Sequence, residues 1–164
     1  MTYTWPLVVQ FFVPGIPKPG GSKTAFYNKL LGRALIVDAC KGNKQWRATV
    51  AIYAVEAYHG PPLDGPLMFE MTFFFPRPKN HFGTGRNAGI LKASARIFPT
   101  VKPDLTKVIR STEDACTGIL WADDASVIDQ LPHKRYAGGP YLGVEPSKIP
   151  GVRITLRRLQ KENR

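Results

Sequence analysis

The sequence predicts an α+β fold, a mixed α/β arrangement forming one small domain over residues 1–164. Three observations carry that expectation. Strand and helix patterns follow one another in the order β-α-β-α-β-β, which calls for a mixed sheet packed by two main helices. The chain is long enough to bury a core without disulfide or metal staples. Its apolar content, 43%, is that of a globular protein.

The elements follow in order. Leu7 to Val13, LVVQFFV, is β-branched and aromatic and suits a strand. The stretch from Pro14 to Lys23 is rich in Pro and Gly, so it forms a turn or rigid loop. Gly15 and Gly20 have the spacing of a GxxxxGK[ST] phosphate loop, but position 21 is Gly where Lys is required, so a nucleoside-triphosphate site is rejected. Lys18, Ser22 and Lys23 are candidates to meet a nucleic-acid backbone. The alternative is a hairpin turn with incidental lysines. A helical pattern spans Ala34 to Tyr58, firmest over Asn43 to Tyr58, where Trp46, Val50, Tyr53 and Ala57 recur at helical spacing. A short strand or turn near Ala34 to Val37 fits the same residues. His59-Gly60-Pro61-Pro62 predicts a helix end through a glycine cap.

Gly65 to Phe75 alternates as a strand, with Leu67, Phe69, Met71, Phe73 and Phe75 on one apolar face. Glu70, on the other face, is either solvated or aimed at a site. Residues 76–103 show neither period and form a long basic, mobile loop with six cations and no acid: Arg77, Lys79, Arg86, Lys92, Arg96 and Lys102. Such a loop can order on a polyanion. Phe82 and Phe98 either tack it to the body or stack on bases. Leu105 to Gly118 reads as the second helix, with Leu105, Val108, Ile109, Ala115, Cys116 and Ile119 on its apolar side, Asp104 as N-cap and Gly118 as C-cap. A strand follows from Ala125 through Tyr136, with His133 read as a surface or phosphate contact. Val152 to Leu159 is the last strand, with Arg153 and Arg157 on one cationic face, and a tail follows it.

The formal charge of +11 favours a polyanionic partner, since basic charge raises both encounter rate and affinity for nucleic acid. No basic amphipathic helix suits a membrane surface, and no apolar run reaches the ~18 residues a membrane helix needs. Cys40 and Cys116 lack metal-ligand spacing and read as buried free thiols in a reducing compartment. The N-terminus lacks a signal-peptide n-region, so a cytoplasmic location is expected.

Against this basic background, six of the twelve acidic residues fall between Asp104 and Asp129. Adjacent acids such as Asp123 and Asp124 repel unless a cation or donor is near. Phosphodiester cleavage needs charge neutralised at the phosphate and an activated water, and carboxylates binding Mg²⁺ provide both. Asp104 opens the second helix and Asp123-Asp124 follow it. The chain after Gly118 must therefore double back along the helix for the two ends to meet.

Lys102-Pro103-Asp104-Leu105, Asp114-Ala115 and Leu120-Trp121-Ala122-Asp123-Asp124-Ala125 with Val127 resemble the RusA-type Holliday junction resolvases, many of them phage-encoded. Pro14 to Pro19 and Gly21-Ser22-Lys23 resemble the family more weakly. The resemblance implies a small homodimeric endodeoxyribonuclease that resolves four-way DNA junctions by paired symmetric nicks. A two-fold dimer presents two like sites to a substrate of matching symmetry. It implies Mg²⁺, with Mn²⁺ able to substitute, and a bacterial or phage-infected host cell. By position it makes Asp104, Asp124 and Asp123 the metal ligands and catalytic acids. Arg110 stands where the family has a catalytic lysine, suited to stabilising charge on the phosphate. The family pattern Asp-x-Asp-Asn reads Asp104-Leu105-Thr106-Lys107 here. Thr106 thus removes a carboxylate, and Lys107 joins the candidate DNA-facing cations. Either Asp104, Asp123 and Asp124 suffice, or Glu70 completes the shell, or activity is weak; Glu113, two turns into the helix, is a poor substitute. Two other functions compete: a nuclease of other branched DNA, and a non-catalytic architectural DNA-binding protein.

Overall fold

The structure is a computed structural model that describes residues 1–21, 23–38, 40–139, 143 and 145–162. Its strands are β1 (Tyr3–Thr4), β2 (Leu7–Pro14), β3 (Lys23–Asn28), β4 (Arg33–Asp38), β5 (Leu67–Phe75), β6 (Val127–Tyr136), β7 (Gly151–Arg158) and β8 (Gln160–Lys161). Its helices are α1 (Asn43–Ala57) and α2 (Leu105–Cys116). The main sheet has the order β2-β7-β5-β6. β7 runs antiparallel to β2 and β5, while β5 and β6 are parallel. Parallel neighbours need a crossover, and α2 lies in the one that joins them. The expected mixed sheet with two main helices is the observed fold.

The alternation read in β5 sets the core. Leu67, Phe69, Met71, Phe73 and Phe75 join Val152, Ile154 and Leu156 of β7 and Val9 and Val13 of β2. Trp46, Val50 and Ala54 of α1 and Val108, Ala115 and Cys116 of α2 close over that face. The two helices are also pinned to each other: Trp46 Nε1 donates to Thr112 Oγ1 at 3.3 Å, and Arg47 pairs with Asp114 at 3.5 Å. β5 is central enough to be covered on its second face too, where Phe74 is fully buried with Arg153 stacked 5.5 Å from its ring.

Several local expectations change. The chain after the Pro/Gly loop is a two-stranded hairpin, β3 with β4. The possible strand near Ala34 is half of it, and β3 was not foreseen. α1 ends at an extended Tyr58 cap, before Gly60, and Gly60 has no left-handed conformation. The α2 cap is Thr117, with Gly118 in the left-handed region immediately after it. Both cysteines are free thiols, but only Cys116 is buried. Burial in apolar surroundings raises its pKa far above the ordinary thiol range.

The basic stretch 76–103 has local structure. It holds short 3₁₀ turns at Lys79–His81 and Gly85–Asn87, and a bridge from Phe82 to Leu91. Arg77 fastens it to the body by stacking 4.4 Å over the Tyr136 ring and donating to the Arg96 carbonyl at 2.9 Å. Phe98 lies beneath Arg135, 5.1 Å from its guanidinium. Phe98 therefore tacks the loop down.

Candidate active site

The return chain does double back along α2. Gln130 of β6 reaches Glu113, and further along Lys134 reaches the carbonyls of Val101 and Pro103 beside the helix start. Asp123 and Asp124, however, lie before this return, at the C-terminal end of α2. Asp124 Oδ1 accepts hydrogen bonds from Thr117 Oγ1 and from Trp121 Nε1, the latter at 2.9 Å. Twelve residues of α2 span about 18 Å. Asp104 at one end and Asp124 at the other are therefore not brought together within the chain. Among the described residues, no three of His, Cys, Asp and Glu form a group able to hold a metal ion.

The C-terminal end of α2 gathers a different pair. Gln130 Nε2 donates to Glu113 Oε1 at 2.6 Å. Burial raises the Glu113 pKa first, and the nearby charge of Asp124 raises it further. The helix terminus adds its own partial negative charge. A divalent cation suits this surplus, and Mg²⁺ accepts two carboxylates with waters and substrate oxygens filling the rest. Glu113 and Asp124 fit that ligand set. Sequence reading set Glu113 aside. The available signal was its i,i+4 relation to Thr117, the residue on which Asp124 is hung. Asp123 turns the other way: its Oδ1 caps the 3₁₀ turn Asp124–Ser126 through the Ala125 N–H at 2.9 Å, and it lines a groove with Gly65, Pro66 and Ile128.

The N-terminal end of α2 is cationic. Asp104 occupies the N-cap position, but its side chain makes no capping bond. Its carboxylate instead lies 3.6 Å from Lys107 Nζ, with both side chains about half exposed. Lys134 stands close by. Its ammonium donates to Pro103 O at 2.7 Å, and burial lowers its pKa while the Asp104 charge partly restores it. Sequence reading gave Lys134 no role, because only the β6 register brings it here. Lys18, Lys102 and Lys134 line one cleft of about 360 Å³ with Phe75 and Tyr136.

Between the two ends stands Arg110, exposed on α2. Asp114, one turn further along the helix, pairs with Arg47 instead. The Pro/Gly loop docks here, and glycine is needed for close approach rather than for phosphate. Gly20 N–H donates to Lys107 O at 2.9 Å, and a Cβ on Gly20 would lie 3.1 Å from Ser111 Cβ. The Gly21 backbone lies against the Arg110 side chain. Thr106 is exposed on the same helix.

The remaining candidates divide. Glu70 faces away from the helices and pairs with Arg157 at 2.8 Å, so it cannot join a shell around α2. It lines a polar hollow of about 150 Å³ with His133 and Arg153 on that far face. Lys79, Arg86, Lys92, Arg96 and Lys102 are exposed, as is Lys23 at the base of the hairpin. Lys92 and Arg96 brace the basic loop through Asn80 O and Thr100 Oγ1. Ser22 lies outside the described residues.

Among the described residues, no helix is long and apolar enough to cross a membrane. The chain is 25% identical over 137 residues to "Uncharacterized protein YqaN" of Bacillus subtilis (strain 168), covering 83% of this chain and 93% of that protein. A family model described as "Endodeoxyribonuclease RusA" matches residues 19–145, which spans the end of the docked loop from Pro19, both helices, all of β6 and every acid discussed above. A basic, mixed-sheet chain with this acidic helix end therefore belongs to the RusA family of endodeoxyribonucleases.

Proposed function

We propose that the protein is a Mg²⁺-dependent, structure-specific endonuclease that resolves four-way DNA junctions by paired symmetric nicks, acting as a homodimer. The observation that carries this reading is the pair of acids at the C-terminal end of α2, Asp124 held by Thr117 and Trp121 and Glu113 held by Gln130, on a chain matched by the endodeoxyribonuclease family. A purely architectural binder gains nothing from two acids crowded on a basic surface. Bound there, a divalent ion supplies charge neutralisation at the scissile phosphate and a more acidic water; Mn²⁺ is expected to substitute for Mg²⁺.

The protein's own residues divide the remaining work. Asp124 is oriented by Thr117 and Trp121, and Glu113 by Gln130. Arg110 offers a fixed positive charge to a phosphate lying along α2. Lys107, Lys102 and Lys18, at the end where the helix dipole is positive, hold the neighbouring strand. Asp123 shapes the turn that presents Asp124. Two such sites related by a two-fold axis match the symmetry of a four-way junction.

The test incubates the protein with labelled four-way, three-way and linear DNA in Mg²⁺ or EDTA. Metal-dependent paired nicks confined to the four-way substrate are expected, and Asp124→Asn is expected to bind junctions without cutting them. Equal cutting of the three-way substrate would move the activity to branched DNA in general. Binding without cutting at any metal concentration would leave an architectural protein.

A further inference from the structure

The β3–β4 hairpin is an anomaly that the nuclease chemistry leaves unexplained. Among the described residues its strands pair only with each other, and it makes no extended packing with any other element. A lone two-stranded hairpin is marginal in water. This one nevertheless exposes Phe26, Tyr27, Leu30, Leu31 and Ile36, with Leu30 at its tip 98% exposed. Its apex is shaped: Asn28 Oδ1 accepts the backbone N–H groups of both Leu30 and Leu31 at 3.0 Å, and Gly32 closes the turn at φ +61°. The two leucines are thereby held side by side at the extremity, flanked by Lys29 and Arg33. Neither cation makes an ion pair among the described residues.

We propose that this hairpin is a DNA-inserting arm, with Leu30 and Leu31 the wedge that enters between base pairs at the branch point. Lys29 and Arg33 hold the flanking phosphates. The inference rests on the reading of the protein as a nuclease of branched DNA. Apolar side chains find no partner on a phosphate backbone; in a nucleic acid the apolar surface is the faces of the bases, reached by unstacking a step. A branch point interrupts stacking and makes such a step least costly to open. Charge selects DNA over a second copy of the chain. A partner tip would bring the same two cations on a protein of net charge +11, whereas the polyanion attracts both. The arm is also rooted at the site. β3 begins two residues after Gly21, which lies against Arg110, and six strand residues reach about 20 Å.

The test uses a four-way junction carrying 2-aminopurine beside the exchange point, in EDTA for binding and in Mg²⁺ for nicking. Wild-type protein is expected to raise the fluorescence on binding. Leu30→Ser/Leu31→Ser should bind within about threefold of wild type, raise no fluorescence, and nick about tenfold more slowly. Lys29→Glu/Arg33→Glu should bind more weakly and reduce the salt slope of binding by about 2. An unchanged fluorescence rise in the leucine variant overturns the wedge. So does a change in its oligomeric state by light scattering, which would assign the tip to a contact between copies. Wild-type protein that nicks junctions without a fluorescence rise sinks the wedge alone. A rise without nicking sinks the nuclease reading alone, and no junction binding sinks both.

Discussion

Trp121 Nε1 donates to Asp124 Oδ1 at 2.9 Å while the same indole packs edge-on against Phe69, ring centroids 4.9 Å apart. One side chain thus ties the candidate metal ligand to the centre of the sheet. Both Trp121 and Phe69 are fully buried, so the orientation of Asp124 is set by core packing. Trp121→Phe keeps most of the packing and deletes the donor. It is expected to cost about 1–3 kcal/mol in chemical denaturation, the range for a hydrogen bond to a charged group. Single-turnover nicking should fall about tenfold with junction affinity unchanged, as a small misplacement of a reacting group requires. A variant that loses affinity and rate together would show that Trp121 matters for the fold alone.

Glu113→Gln separates stability from activity. Burial and the Asp124 charge raise the Glu113 pKa in the folded protein. A raised carboxyl pKa means that the folded state favours the protonated form. The ionised group therefore opposes folding increasingly as pH rises through its unfolded value. The glutamine variant, still able to accept from Gln130, should melt higher than wild type at pH 8, with the difference shrinking toward pH 4. Its nicking should fall by about 10²-fold if the carboxylate holds the metal. A variant that is more stable and fully active would remove Glu113 from the site.

How much of this was readable beforehand depends on which residues report their own surroundings. Leu67, Phe69, Met71, Phe73 and Phe75 alternate because one strand face meets the helices, and the core follows them. Leu105, Val108 and Cys116 trace α2 in the same way. Lys23–Asn28 has no such signal, since five of its six residues are exposed and no buried face imposes a period. Asp104 stands at the N-cap as its position suggests, yet its carboxylate turns to Lys107, a rotamer choice that spacing cannot encode. The Glu113–Gln130 and Lys134–Pro103 contacts depend on the register of β6 against β5. That register is fixed by the packing of a parallel pair through its crossover, and no local motif states it.

The far face of the sheet predicts a pH effect on stability. Burial, then the charge of Arg135, lowers the His133 pKa below its ordinary value of 6.5, with Glu70 opposing. A histidine with a depressed folded pKa is favoured neutral, so its contribution is present above the unfolded value and lost as pH falls through the folded one. Melting temperature should be flat above about pH 7 and decline from about pH 6.5 downward. His133→Gln should flatten the first part of that decline. An unchanged profile in the variant would place the acid sensitivity elsewhere, in the carboxylates.

Asp104 and Asp124 occupy opposite ends of α2, about 18 Å apart by helix rise, so they cannot serve one ion within one chain. Both belong to the segments that resemble the family, and a two-fold dimer would offer a way to use both. Each site would draw Asp104 from one protomer and Asp124 from its partner. Mixing Asp104→Asn with Asp124→Asn chains tests this directly. Each variant alone is expected to be inactive, because both of its sites lack a ligand. A mixed dimer places both substitutions in one site and leaves the other intact. Random mixing should then restore about a quarter of wild-type nicks, all of them single and unpaired. Sites built from one chain predict no recovery at any mixing ratio. Activity in Asp104→Asn alone would instead give the chemistry to Glu113 and Asp124 and leave Asp104 to hold Lys107 in place at the helix start.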